Sequence, residues 1–171
     1  MIRAETQVSE RIDGGRLAEL YRSHADTAVR LAYLLTGDLT LAEDITHDAF
    51  VRLSGRLLHL RHPVSLDAYL RRTVVNLANS HFRRKRVERA YLERERTLRA
   101  PEQVDPDISS REALRGALLR LPTRQRAAIV LRFYQDLSEA QTAEILGCRP
   151  GTAKSLVSRG MRSLRDELRG E

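Results

Sequence analysis

The stretch Ile145-Leu-Gly-Cys-Arg-Pro-Gly-Thr-Ala-Lys-Ser155 sets two glycines and a proline between two runs of helical pattern. Before it, Ser138 and Gln141 have the spacing of a capping box, in which the hydroxyl accepts from a free amide and the longer side chain reaches back. After it, Ala153, Val157, Leu164 and Leu168 recur on one helical face, which leaves Lys154, Ser155, Ser158, Arg159 and Arg162 pointing outward. Ala143, Gly147 and Ala153 fall at the spacing of a helix-turn-helix. That motif needs a small residue where two helices touch, a glycine where the turn takes positive φ, and an apolar anchor on the second helix. Pro150 and Gly151 stop the first helix and start the next. Basic and hydroxyl side chains on the early turns of such a helix reach base edges and phosphates in the major groove. The turn alone fits an ordinary helical hairpin with a solvated face equally well; the basic face tips the reading toward DNA.

The charge balance agrees. Lys and Arg number 30 against 23 Asp and Glu, a net +7, which favours a polyanionic partner: nucleic acid or an acidic membrane surface. No apolar run approaches membrane-spanning length and the polar start, Met1 to Gly15, has no signal-peptide core. A cytoplasmic protein without membrane insertion is expected. The single Cys148 excludes an internal disulfide and a cysteine-cluster zinc site. His24, His47, His59, His62 and His81 are scattered, and no P-loop, GxSxG or HExxH motif is present. No catalytic residue, metal site or cofactor is expected.

Periodicity makes the chain all-α: two small helical domains joined by a linker, the second a helix-turn-helix. Leu17, Leu20, Tyr21, Ala28, Leu31 and Leu35 form a first stripe, which Gly37 ends. Thr40 and Glu43 have capping-box spacing and start a second helix near Leu41, with a stripe of Ile45, Ala49, Leu53 and Leu57. His59 to Ser65, with Pro63 inside, reads as a loop, and Leu66, Leu70, Val74, Leu77, Ala78 and Phe82 line a long third helix. From Arg83 charged residues take over, and Ala100 to Asp107 carries two prolines and almost no apolar residue, the composition of a linker. Ser109 with Glu112 repeats the capping-box spacing, and four helices follow near 110–120, 124–135, 139–146 and 152–169. The expected organisation is a tail over 1–16, a domain over 17–90, a linker over 91–109 and a domain over 110–171.

Several segments resemble extracytoplasmic-function sigma factors, the group 4 members of the sigma-70 superfamily of bacterial RNA polymerase. In the second half these are Leu121-Pro-Thr-Arg-Gln-Arg-Ala-Ala-Ile-Val-Leu-Arg-Phe133, Ser138-Glu-Ala-Gln-Thr-Ala-Glu-Ile-Leu-Gly147 and Gly151-Thr-Ala-Lys-Ser155. In the first half they are Leu31-Ala-Tyr-Leu-Leu-Thr-Gly-Asp38, Ala42-Glu-Asp-Ile-Thr-His-Asp-Ala-Phe50 and Tyr69-Leu-Arg-Arg-Thr-Val-Val-Asn76. Both halves match in the family's order, so the resemblance covers nearly the whole chain.

The resemblance implies a dissociable polymerase subunit that directs promoter-specific initiation and catalyses no covalent step. Its first domain would recognise and open the −10 element, and its second would read the −35 element. For the opened strand the third helix offers Arg71, Arg72, Asn76, Asn79, Arg83, Arg84 and Lys85, and the preceding loop adds Arg61 and His62. Basic grooves and polar contacts of this kind hold unstacked bases. On the second helix Glu43, Asp44, Asp48 and Phe50 lie in the segment that the family docks on the polymerase β′ clamp. First-turn acids that merely suit the helix dipole, or a metal pair at Asp44 and Asp48, remain alternatives there. The implied partners are core RNA polymerase through its β′ clamp and β flap, promoter DNA, and an anti-sigma factor. The chain departs from the family in having no Trp, with Ser54 and Tyr69 near the usual places, and in Leu156, where many relatives carry a basic residue. A ligand-sensing transcriptional regulator and a nucleic-acid enzyme are the competing classes. The first lacks strand and helix alternation, and the second lacks a catalytic motif.

Overall fold

A computed structural model describes residues 2–56, 63–93 and 110–169, with side chains over 15–56, 66–85 and 112–169. All regular structure in the described residues is helical: α1 Ile2–Thr36, α2 Leu39–Ser54, α3 Pro63–Glu93, α4 Ser110–Arg120, α5 Thr123–Ile129, α6 Glu139–Leu146 and α7 Pro150–Arg169. The chain divides into two compact units, Met1–Val75 and Asn76–Glu171, and the division falls inside α3. Of the expected linker, residues 94–109 lie outside the described residues, as do Leu57, Arg61, His62 and Ser109.

In the first unit α1 and α2 form a helical hairpin. Gly37 ends α1 at φ 75°, and its amide donates to the Tyr33 carbonyl at 2.7 Å. Asp38 follows in extended backbone and its carboxylate accepts from the Leu41 amide at 3.1 Å. The N-cap is therefore Asp38, not the Thr40 and Glu43 pair that the spacing predicts. Asp is as strong a cap as Thr and stands directly behind the glycine turn, so the helix begins two residues earlier. Ala32, Ala42 and Ala49 are wholly buried, and their small side chains let the hairpin close around Leu31, Ile45 and Leu53. Leu66, Leu70, Val74 and Val75 of α3 complete the buried apolar set of this unit. Pro63 opens α3 rather than interrupting a loop, because the first helical position needs no amide hydrogen and proline's fixed φ suits it.

The second unit follows the sequence pattern closely. Ala117, Leu118 and Leu121 pack with Ile129 and Leu164 into one cluster, with Met161 at its margin. Buried Arg126 reaches back from α5 to donate to the Leu119 and Leu121 carbonyls, at 3.0 and 3.2 Å, satisfying acceptors at the end of α4. Burial lowers the pKa of its guanidinium from the ordinary arginine value.

α7 approaches α5 closely at Gly160. A Cβ added at Gly160 would sit 2.8 Å from Ile129 Cδ1 and 3.3 Å from Gln125 Cβ. Gly160→Val is therefore expected to cost about 1 to 3 kcal/mol through overpacking. Thermal melts should show the loss shrinking when Ile129→Ala opens space beside it, and strict additivity of the two changes would contradict this packing.

Candidate nucleic-acid interface

Positioning begins at the corner between α5 and α6. The last turn of α5 widens into a π-turn over Val130–Tyr134, with the Gln135 amide donating to the Val130 carbonyl at 3.0 Å. Asp136 then takes φ 49°, one of the few residue types that enter the left-handed region readily. Arg132 donates to the Leu137 carbonyl across this corner. Ser138 caps α6 with both halves of a capping box present: its Oγ accepts from the Gln141 amide at 3.2 Å, and its own amide donates to Gln141 Oε1 at 2.8 Å.

The α6 to α7 turn closes by two backbone bonds. Cys148 donates to the Ala143 carbonyl at 2.9 Å and Gly147 to the Glu144 carbonyl at 3.2 Å, with Gly147 at φ 60°. This is a Schellman ending, and the left-handed residue turns the chain sharply enough for a second helix to start at once. Arg149 is left as the cap of α7, its carbonyl accepting from the Thr152 and Ala153 amides. Ala143 and Ala153 are both buried where the two helices meet.

The buried face of α7 is Ala153, Leu156, Gly160 and Leu164. That corrects the expected stripe: Val157 is half-buried and Leu168 is 49 % exposed. The two smallest residues of that buried face, Ala153 and Gly160, let the helix axis approach closely, which rotates the stripe toward Leu156. Leu156 is thus a core residue. Lys154, Ser155, Ser158, Arg159 and Arg162 are all exposed on the opposite side. Ser155 donates to the Gly151 carbonyl at 2.8 Å, and Arg159 Nε lies 3.3 Å from the Ser155 carbonyl. Both contacts stay within the helix, so these groups remain available to an incoming ligand.

Along α3, Arg72, Asn76, Arg83, Arg84 and Lys85 are exposed and Asn79 is half-buried. Arg72, Asn76, Asn79 and Arg83 recur at spacings of three and four and so share one helical face. Arg71 is different. It pairs with Asp67 at 2.7 Å, and His24 Nδ1 of α1 approaches the same carboxylate at 3.8 Å. Tyr69 is half-buried with the Arg56 guanidinium 5.8 Å from its ring centroid.

On α2, Glu43, Asp44 and Asp48 are exposed, but Phe50 is only 4 % exposed and packs against Tyr21 with ring centroids 4.8 Å apart and the rings tilted by 55°. A buried ring offers no docking surface, so Phe50 leaves the polymerase-binding set. The reverse holds for Tyr21, which the apolar periodicity assigns to the core and which is 48 % exposed. Tyr21, Asp26 and Arg30 of α1 line a groove with Glu43, Asp44 and His47 of α2. Sequence spacing within either helix could not pair these residues. Among the described residues no group of three His, Cys, Asp or Glu is arranged to hold a metal ion.

Residues 20–88 match the family model Sigma-70 region 2, and residues 111–164 match Sigma-70, region 4. The RNA polymerase sigma-E factor of Streptomyces coelicolor is 32 % identical over 154 residues, covering 88 % of this chain and 84 % of that protein. The chain belongs to the extracytoplasmic-function sigma factors. Another relative, the sigma factor SigE of Mycolicibacterium smegmatis, is 36 % identical over 156 residues; the match covers 88 % of this chain and 60 % of that protein. A crystal structure of the sigma factor RpoE with the anti-sigma factor NepR from Bartonella quintana has a similar fold. The TM-score is 0.71 at 24 % identity, over 89 % of this chain and 96 % of that one.

The two glycines of the turn should behave oppositely. At Gly147 a side chain must enter the left-handed region, so Gly147→Ala is expected to cost about 1 to 2 kcal/mol. At Gly151 an added Cβ meets nothing within 4 Å in helical backbone, so Gly151→Ala should be neutral or stabilise by up to about 1 kcal/mol. Equal melting shifts for the two variants would contradict this turn geometry.

Proposed function

We propose that this sigma factor binds core RNA polymerase and directs initiation by reading a −35 element with α7 and a −10 element with α3. The observation that carries the reading is the exposed face of α7. Lys154, Ser155, Ser158, Arg159 and Arg162 project from a helix held by a Schellman turn, a capping box and a close-packed underside. A face of this kind supplies bidentate donors to guanine edges and single donors to phosphates. On α3, the face of Arg72, Asn76, Asn79 and Arg83, with Arg84 and Lys85 beside it, holds the separated strand; Arg61 and His62, outside the described residues, belong to the same set by resemblance.

The acids Glu43, Asp44 and Asp48 form the docking surface for the β′ clamp, and the second unit engages the β flap. Acid on one exposed helix of a chain with net charge +7 gives register against a basic partner and discourages α2 from lying on DNA. An anti-sigma factor is a further partner, as for the Bartonella protein of similar fold. No described helix is long and apolar enough to cross a membrane, in keeping with a cytoplasmic factor. The sigma factor itself catalyses no covalent step. Run-off transcription by core polymerase with and without the chain, on a promoter library, tests the function and finds the promoter together. A sequence-specific operator complex of the free protein, with no effect on core polymerase, would overturn the reading in favour of a regulator.

Two variants separate the DNA-reading surfaces. Arg159→Ala should lose −35 dependence without unfolding, at about 1 to 3 kcal/mol if a base contact is lost. Asn76→Ala should leave closed-promoter binding intact and impair opening, because its partner exists only once bases unstack. A template melted in advance across the −10 region should then rescue part of the Asn76→Ala defect and none of the Arg159→Ala defect. Equal rescue of both would contradict this division. For the docking surface, the double change Asp44→Lys with Asp48→Lys should weaken holoenzyme assembly at low and moderate salt with helix content unchanged. Undiminished affinity for core polymerase would remove α2 from the docking role.

A further inference from the structure

The proposed base-reading side chains of α7, Lys154 to Arg162, stop two turns short of its end at Arg169. From Lys154 to Arg162 the helix rises about 12 Å, and from there to its end at Arg169 about another 10 Å. A major groove is about 12 Å wide and winds around its axis, so a straight helix seated by its first turns leaves the groove floor over its last two. What α7 exposes over those last turns is asymmetric. One row, Ser158, Arg162, Arg165 and Arg169, stays basic to the end. The adjacent row, Ser155, Arg159 and Arg162, ends in exposed Asp166. Among the described residues the side chains of Arg162, Arg165 and Arg169 make no hydrogen bond or ion pair, although Glu167 on the other flank is taken by Arg120.

We propose that Arg165 and Arg169 form a phosphate clamp that grips one strand of the duplex where α7 leaves the groove. The clamp rests on α7 being the duplex-reading helix, and it adds what base reading does not: affinity independent of sequence and directed to one side. The guanidinium pair meets the phosphates of the near strand. Asp166, in the adjacent row, repels any phosphate on its own side, so the helix tilts toward Arg165. Each arginine that neutralises a phosphate releases condensed counterions, which makes its contribution legible in the salt dependence of binding.

The test is a salt titration of the full-length chain on a duplex of arbitrary sequence, where base reading contributes nothing. Arg165→Ala and Arg169→Ala should each lower the slope of log K against log salt by about 0.9, and together by about 1.8. The corresponding Arg→Lys changes should keep the slope, and Asp166→Asn should tighten binding without loosening its salt dependence. Removing two exposed arginines elsewhere, Arg22→Ala with Arg52→Ala, controls for net charge and should leave the slope unchanged. All these positions are exposed, and melting curves check that the variants remain folded. A slope that falls with Lys154→Ala and Arg159→Ala but not with Arg165→Ala and Arg169→Ala overturns the clamp and leaves the duplex-reading role of α7 standing. A slope that falls equally with the control pair reduces the effect to net charge and also overturns the clamp. A slope indifferent to every α7 variant, or no salt-dependent binding by the unaltered chain, removes α7 from DNA and takes the clamp with it.

Discussion

The second unit depends on one backbone constraint, the left-handed residue at Gly147. Only with φ near 60° can the Ala143 and Glu144 carbonyls receive the amides of Cys148 and Gly147 while the chain reverses within three residues. The reversal brings Ala143 against Ala153, and the small size of both lets the two helices meet closely. That contact fixes the roll of α7 about its own axis. With Gly160 against Ile129 one end further along, the helix has two pins, and the sector opposite them is the sector that carries Lys154, Ser155, Ser158 and Arg159. The face offered to a ligand is therefore decided by small residues that never touch it.

Capping chemistry was the most legible part of the chain. Ser138 and Gln141 form both bonds of the box that their spacing predicts, and Gly147 takes the conformation its place demands, because both effects are local and need only neighbouring backbone. The same rule misplaced the start of α2, since two caps, Asp38 and Thr40, competed within three residues and only the geometry of the preceding glycine turn decided between them. Periodicity gave the helices but not the roll of each. It assigned Val157 and Leu168 to the core in place of Leu156 and Gly160, because a hydrophobicity pattern gives no weight to a glycine and so cannot register a contact made by backbone. Periodicity also places Tyr21 in the core, and the resemblance places Phe50 on a docking surface, yet Phe50 is the buried ring of the pair: both side chains are apolar in sequence, and which one faces water depends on the partner helix.

The surface chemistry divides by element. α2 exposes Glu43, Asp44 and Asp48 beside a single arginine, Arg52, whereas the exposed charges of α3 and α7 are mostly basic, with Asp166 the acidic exception among those named above. In a chain of net charge +7, non-specific attraction to a polyanion is unavoidable, and an acidic helix limits which faces can take part. The ion pair of Arg71 with Asp67, beside His24, has a different place in this division: it uses one of the third helix's cations inside the first unit. A count of basic residues on α3 would have credited it to the DNA-facing set.

Neither reading surface is large enough to select a promoter alone. On the reading proposed above α7 offers five side chains to DNA, and at about 1 to 3 kcal/mol for each mismatched base pair a single short helix has little margin against the roughly million or more competing sites of a genome. Serine hydroxyls such as those of Ser155 and Ser158 can pair with several base edges, which lowers the information each such position carries. Joining two such readers changes the arithmetic. Once one surface is bound, the other acts at the effective concentration set by the connecting chain, and the discrimination free energies add while the cost of encounter is met once. The composition of Ala100 to Asp107, poor in apolar groups, is the composition expected of such a connection. Weak individual readers are then an advantage: neither surface can trap the protein at half a site, and promoter choice follows from both being satisfied on one template.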